Sequence, residues 1–177
     1  MSSPELITPE SFSGLSKALH GATGMAKAPP QLTVSQWADL HRVLSPEASA
    51  EPGKWSTIRA EYLRGVMDAF SDPDISTVVL MKAAQVGSTE VINNIIGFHV
   101  HQDPASILVV QPNIKMANSW SKTRLSPMLR DTPALRGKIA EPRTKNSSNT
   151  IQEKVFEGGM LAVATAGSPA DLASRPI

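Results

Sequence analysis

Ser76–Val91, STVVLMKAAQVGSTEV, constrains this chain more than any other stretch. It opens on an unbroken apolar run, Val78-Val79-Leu80-Met81, of the kind that predicts a strand buried on both faces in a parallel sheet. A loop of small residues follows, Ala83-Ala84-Gln85-Val86-Gly87, and Ser88-Thr89-Glu90 opens a helical pattern in which Val91, Ile92, Ile95, Ile96, His99 and Val100 recur. Strand, tight loop and helix start together are the setting of a phosphate-binding loop. There the free N–H groups and the helix dipole favour an anion.

The usual loop of this kind reads G-x-x-x-x-G-K-[ST]. Aligned on Gly87, the chain has Lys82 at the first position, Ser88 where lysine is usual and Thr89 at the hydroxyl position. Because such a loop curls around its ligand, a lysine at the front can still reach the phosphates. Thr89 then supplies a hydroxyl for Mg²⁺, and Gly87 lets the backbone approach closely. The same residues also suit an ordinary strand-to-helix connection capped by Ser88 or Thr89. Spacing alone leaves both readings open.

At 177 residues the chain suits one domain with a proper core, and 41% hydrophobic with 19% charged residues is the composition of a globular protein. A net charge of +1 gives no global basic field, so any nucleic-acid contact must come from a local patch. The absence of cysteine excludes disulfides and thiolate metal sites and fits a reducing compartment. No membrane-spanning run is present, and the chain reads as a soluble protein.

Residues 1–30, rich in Ser, Gly, Ala and Pro, read as a flexible arm, with a short helix around Pro9–Leu19. Thr33 or Ser35 caps a helix through Leu40 with Trp37, Leu40 and Leu44 on its apolar side. Ser45–Lys54 is a loop by its prolines and glycine. A helix over about Ile58–Phe70 places Ile58, Tyr62, Leu63, Val66, Met67 and Phe70 on one face. The helix that starts at Ser88 runs to about His101. Ile107-Leu108-Val109-Val110 forms a second buried strand, and a third helix, Ile114 to about Leu129, turns Met116, Trp120, Leu125 and Leu129 inward. Its outer side carries Lys115, Lys122, Arg124 and Arg130. Gly158-Gly159 between two strand-like runs predicts a hairpin whose second arm, Met160–Ala164, joins the sheet. The alternation of strand and helix predicts an α/β fold with a parallel sheet. His20, His41, His99 and His101 form no ligand set, and His99 and His101 suit the end of a helix.

Trp55 with Tyr62-Leu63-Arg64, then Met81–Glu90, then Asp103-Pro104 with Val109-Val110-Gln111-Pro112, resemble the large terminase subunit of tailed phages, GpA type, from about Gln31 onward. A lysine at the front of the phosphate loop is what that family shows. The resemblance implies a P-loop NTPase-like sheet flanked by helices and a partial ATPase domain over residues 31–177. It implies ATP and Mg²⁺ as ligands, with Lys82 on the phosphates, Ala83, Ala84, Gln85, Val86, Gly87 and Ser88 as the cradle, and Thr89 on the metal. Tyr62 is similar to the family's adenine-contacting aromatic, with Trp55 a weaker candidate, while a core tyrosine is the plainer reading. Some members carry an arginine where this chain has Gln85, which leaves that charge-stabilising role open. Gln111 matches a segment with a possible coupling role.

For the full-length protein the resemblance implies a motor that drives double-stranded DNA into a prohead in the host cytoplasm, as an oligomer. Its implied partners are a small terminase subunit and the portal, and it is joined to an endonuclease. The family's next strand ends in an Asp-Glu pair that serves Mg²⁺ and the attacking water. No apolar run here is followed by that pair and no two-metal carboxylate cluster is present. This chain alone is therefore expected to bind nucleotide weakly and not to hydrolyse it at a useful rate. Another helicase-like P-loop ATPase and a non-catalytic interaction module are the alternatives. The basic residues of 115–130 and the loop with Lys138, Arg143 and Lys145 could meet DNA phosphates, or simply form a solvated face.

Overall fold

The chain's structure, a computed structural model, describes residues 31–139, 150–168 and 172. The N-terminal arm, and Arg143 and Lys145, lie outside the described residues. The described part is a mixed α/β unit with a small sheet flanked by helices. Among the described residues no helix is long and apolar enough to cross a membrane.

Helix α1, Val34–His41, starts as its sequence requires. The Thr33 hydroxyl accepts from the Gln36 N–H while the Gln36 side chain accepts from the Thr33 N–H, a complete capping box. Two more of its first N–H groups are satisfied from a distance: Ser71 Oγ accepts from Val34 at 2.8 Å and Asp68 Oδ1 from Ser35 at 3.0 Å. The loop after α1 is pinched by a short antiparallel ladder, β1 Val43–Leu44 with β2 Gly53–Lys54.

The helix expected over Ile58–Phe70 is broken. A 3₁₀ segment, Thr57–Leu63, precedes a short α-helix, α2 Arg64–Asp68, and a second 3₁₀ turn, Ala69–Ser71. The break lies at Ala60, whose φ of −141° and ψ of 53° cannot continue a helical ladder. Its consequence is a change of face: Leu63 and Met67 are buried, whereas Ile58, Tyr62 and Phe70 are exposed.

The predicted strand Val78–Met81 is also absent. Residues 75–83 run without regular structure, Val79 is 88% exposed and Met81 98% exposed. No described strand lies alongside them to accept their N–H groups, and an extended run without a ladder partner is not a strand. Helix α3, in contrast, spans Ser88–His101 as its periodicity predicts. It buries Val91, Ile96, Phe98 and Val100, and also Asn93 and Asn94, while Ile92 is exposed.

The main sheet has the order β3–β5–β4, with β3 Ile107–Gln111, β4 Glu153–Phe156 and β5 Gly159–Thr165. Strands β3 and β5 are parallel, in register from Ile107↔Leu161 to Gln111↔Thr165. Strands β4 and β5 form the predicted hairpin, so the sheet is mixed rather than all parallel. Leu161, Ala162, Val163 and Ala164 are all buried, as befits a central strand covered on both faces. Between β3 and the hairpin runs one long helical rod: α4 Ile114–Trp120, a π-helical turn Ser121–Leu125, and α5 Ser126–Asp131. Trp120 and Leu125 point inward as expected, but Met116 is exposed and Ala117 takes the inward place.

The core is one contiguous cluster, with Trp37, Met67, Ile96, Leu125, Met128, Leu135 and Leu161 at its centre. Trp37 is wholly buried, and its indole N–H donates to His101 Nδ1 at 3.1 Å. His41 meets His101 edge-on at 5.1 Å between ring centroids. An acceptor role at Nδ1 requires the neutral ring. Burial pushes His101 below its usual 6.5, with His41 and Lys138 adding to the effect. The unfolded chain therefore binds this proton more readily than the folded one. The His101 contribution is complete above about pH 6.5 and is lost as pH falls from there toward the lowered folded value. Melting temperature is expected to fall across that window, and less steeply in His101→Gln; equal slopes would refute the assignment.

Candidate functional site

The loop from Lys82 to Thr89 lies on the surface, with only Val86 and Ser88 half-buried. Its conformation is set by two left-handed residues, Gln85 with φ of 57° and Gly87 with φ of 79°. Gly87 is the residue before α3. A Cβ there would sit 3.3 Å from Leu63 Cδ1 on a backbone that side chains rarely adopt, so the position calls for glycine. A non-glycine residue at positive φ is uncommon, and Gln85 marks the loop as a held conformation.

Unlike α1, helix α3 has no side-chain cap. Ser88 and Thr89, both proposed as caps by their type, do not act as such; Gly87 occupies the capping position. The Glu90 and Val91 N–H groups donate to the Gly87 carbonyl at 2.9 and 3.3 Å, whereas those of Ser88 and Thr89, at the very start of α3, take no side-chain cap. Thr89 is exposed and its hydroxyl makes no hydrogen bond among the described residues. The Lys82 amine folds back on its own loop, donating to the Ala83 carbonyl at 3.4 Å. An exposed amine, a free hydroxyl and uncapped helix N–H groups on one short loop are a donor set that suits a phosphate. The free hydroxyl of Thr89 is also of the chemistry that a hard divalent cation takes.

Tyr62 belongs to this loop. Its side chain is 66% exposed, so it is not a core tyrosine, and its hydroxyl donates to the Val86 carbonyl at 3.2 Å. Trp55 does not belong: it is buried, with its indole N–H donating to Thr57 Oγ1 at 3.0 Å. Gln111 ends β3 beside Thr165, and its carbonyl accepts from Ala166 at 2.9 Å. No hydrogen bond joins Gln111 to the loop among the described residues.

The residue type and spacing gave no hint of the loop's anchor. Glu90, in the first turn of α3, accepts from Arg42 Nη2 at 2.8 Å, and Arg42 is 2% exposed. Arg42 also donates from Nη1 to the Val43 carbonyl, and Asn93 Nδ2 reaches Glu90 at 3.5 Å. Burial pulls the Arg42 guanidinium below its usual value, and the Glu90 carboxylate opposes that effect. The pair ties the residue just after Thr89 to the C-terminal cap of α1. Its partners are 48 positions apart, which no local pattern encodes.

The family model of the phage terminase large subunit gpA, ATPase domain, matches residues 49–177. The chain is similar to the terminase large subunit of Enterobacteria phage P21, with 31% identity over 141 residues covering 78% of this chain and 22% of that protein. It is also similar to the terminase large subunit of Escherichia phage lambda, with 27% identity over 139 residues covering 78% of this chain and 21% of that protein. The chain thus spans about a fifth of the length of these curated relatives. No solved structure matches it. With most of its length matched by that model, the chain belongs to the phage terminase large subunit family and carries sequence of its gpA ATPase domain.

Proposed function

We propose that the chain is a nucleotide-binding part of a viral DNA-packaging motor, with a P-loop NTPase-like fold. The observation that carries this reading is the uncapped start of α3 behind a loop held by left-handed Gln85 and Gly87. In this reading the N–H groups from Ala83 to Ser88 surround the phosphates of ATP, and the Lys82 amine neutralises their charge from the front of the loop. The Thr89 hydroxyl would hold Mg²⁺, which when bound draws charge from the phosphate oxygens. Tyr62 stands at the loop through Val86 and offers its ring to the base. Gln85 has no charge to offer a developing negative charge, and its backbone conformation is its contribution. Gln111 is a coupling residue in this reading, set at the end of the strand nearest in sequence to α3. In the whole protein, nucleotide turnover would drive double-stranded DNA into a prohead, together with a small terminase subunit and a portal, in the host cytoplasm, with an endonuclease in the same polypeptide.

The test is a thermal-shift titration with ATP and Mg²⁺. Nucleotide at about 100 times Kd should add about 2.7 kcal/mol of stability. Lys82→Ala is expected to abolish that gain while leaving the melting temperature without nucleotide unchanged, because the amine is exposed and bonded only to the Ala83 carbonyl. An equal shift in wild type and Lys82→Ala, or none at millimolar ATP, would overturn the assignment.

A further inference from the structure

A second donor-lined site lies away from the loop, in a groove of about 650 Å³ between the helical rod and the start of β4. That volume is in the range of small-ligand sites. Asn118, Lys122 and Ser126 face it from the rod, and Gln152 and Lys154 from the hairpin side. Among the described residues no aspartate or glutamate lines it. None of these residues belongs to the Lys82–Thr89 loop.

The cations of the rod sort themselves by partner. Arg130 is taken up by Asp131, at 2.7 and 2.8 Å, and by Glu47 at 3.1 Å; Asp131 is held down at about 2 by that pairing. Arg124 donates to the Ala48 carbonyl. Lys122 makes no ion pair or side-chain hydrogen bond among the described residues, and the same is true of the amides of Asn118 and Gln152. Lys154 is half-buried and its amine donates at 3.2 Å to the Thr150 carbonyl, with no carboxylate beside it among the described residues. Its burial lowers its pKa, the expected sign for an ammonium held without a counter-ion. Two lysines and two neutral amides from opposite walls of an open groove offer separate point donors. Such a set suits the several oxygens of a tetrahedral phosphate better than the planar fork a carboxylate prefers.

We propose that this groove is a phosphate-binding site distinct from the nucleotide loop, with Lys122 and Lys154 as the charged contacts and Asn118 and Gln152 as neutral donors. The phosphate can come from a nucleic-acid backbone or from a free phosphate compound, and the experiment separates the two. The full 177-residue chain is treated with an amine-acetylating reagent alone, with pyrophosphate, or with a short DNA duplex of arbitrary sequence, and lysine modification is read by mass spectrometry. Protection of Lys122 and Lys154 is expected, with Lys54 on β2 unprotected. Protection by the duplex alone identifies a nucleic-acid backbone as the source, and protection by pyrophosphate alone identifies a free phosphate compound. Protection by neither overturns the proposal. The Lys82→Ala chain is treated in parallel, so that failure of the nucleotide loop and failure of the groove are read separately.

Where the duplex binds, K122Q/K154Q is expected to weaken it by about tenfold or more. It should also make the plot of log affinity against log salt shallower by about 1.8, the amount for two lost phosphate contacts. An unchanged slope would equally overturn the assignment. The protection measurement on the unsubstituted chain stands even if that variant does not fold.

Discussion

Replacing Glu90 with alanine is expected to cost about 3–5 kcal/mol of folding stability, the usual consequence of leaving one member of a buried ion pair behind. Arg42 is 2% exposed and its Nε has no hydrogen-bond partner among the described residues, so the guanidinium has little water to turn to. The Asn93 contact with the same carboxylate would go as well. Glu90→Gln, which keeps an acceptor but not the charge, should cost less than Glu90→Ala. Replacing both members by apolar residues, Arg42→Met with Glu90→Leu, should recover most of the loss, because neither charge is then stranded. Urea unfolding of the three variants beside the unsubstituted chain measures these differences. A Glu90→Ala cost below about 1 kcal/mol would show that the guanidinium finds solvent, and that the pair is a minor contact.

The second large effect runs against helix propensity. Gly97 lies inside α3, where alanine normally improves a helix by roughly 0.5–1 kcal/mol. Here a Cβ would stand 2.2 Å from Trp37 Cη2 and 2.7 Å from Cζ3. Trp37 cannot give way easily, since it is wholly buried and its indole is tied to His101. Gly97→Ala is therefore expected to destabilise by about 1–3 kcal/mol or more, in line with inserting a methyl into a filled core. Trp37→Leu in the same chain should relieve the clash, giving a coupling between the two sites of the sign opposite to additive damage. A stabilised Gly97→Ala would show that α1 and α3 can separate at little cost.

What the sequence made legible is what is encoded within a few residues. The cap at Thr33, the extent of Ser88–His101 and the hairpin at Gly158-Gly159 each rest on neighbours in the chain, and each is present. The loop ahead of α3 was legible for the same reason, as a run of small residues before a helix. The strand at Val78–Met81 was not, because hydrophobicity marks a candidate strand while the ladder partner decides it. The break at Ala60 moved Tyr62 from a predicted core face to the surface, where its hydroxyl could find Val86. Asn93 and Asn94 sit on the buried side of α3 although their type argues for solvent. The Asn94 amide meets Met67 Sδ at 3.4 Å, a contact across 27 positions. The Tyr62 and Asn94 contacts each depend on a residue distant in sequence.

The π-helical turn at Ser121–Leu125 carries one consequence for how this chain can vary. A π turn holds a residue more than the α-helical path it replaces, because each of its residues advances the helix face by less than the ~100° of an α-helix. The rod is thereby phased twice: α4 is set to lie on β3 and β5, and α5 to lie against β1 and the 3₁₀ turn Pro133–Leu135. Point substitutions in 121–125 leave that double phasing alone. Loss of a single residue there would return the turn to the α-helical path and leave Met128 facing the interior, so the rod should tolerate that one deletion far better than an insertion or a second deletion.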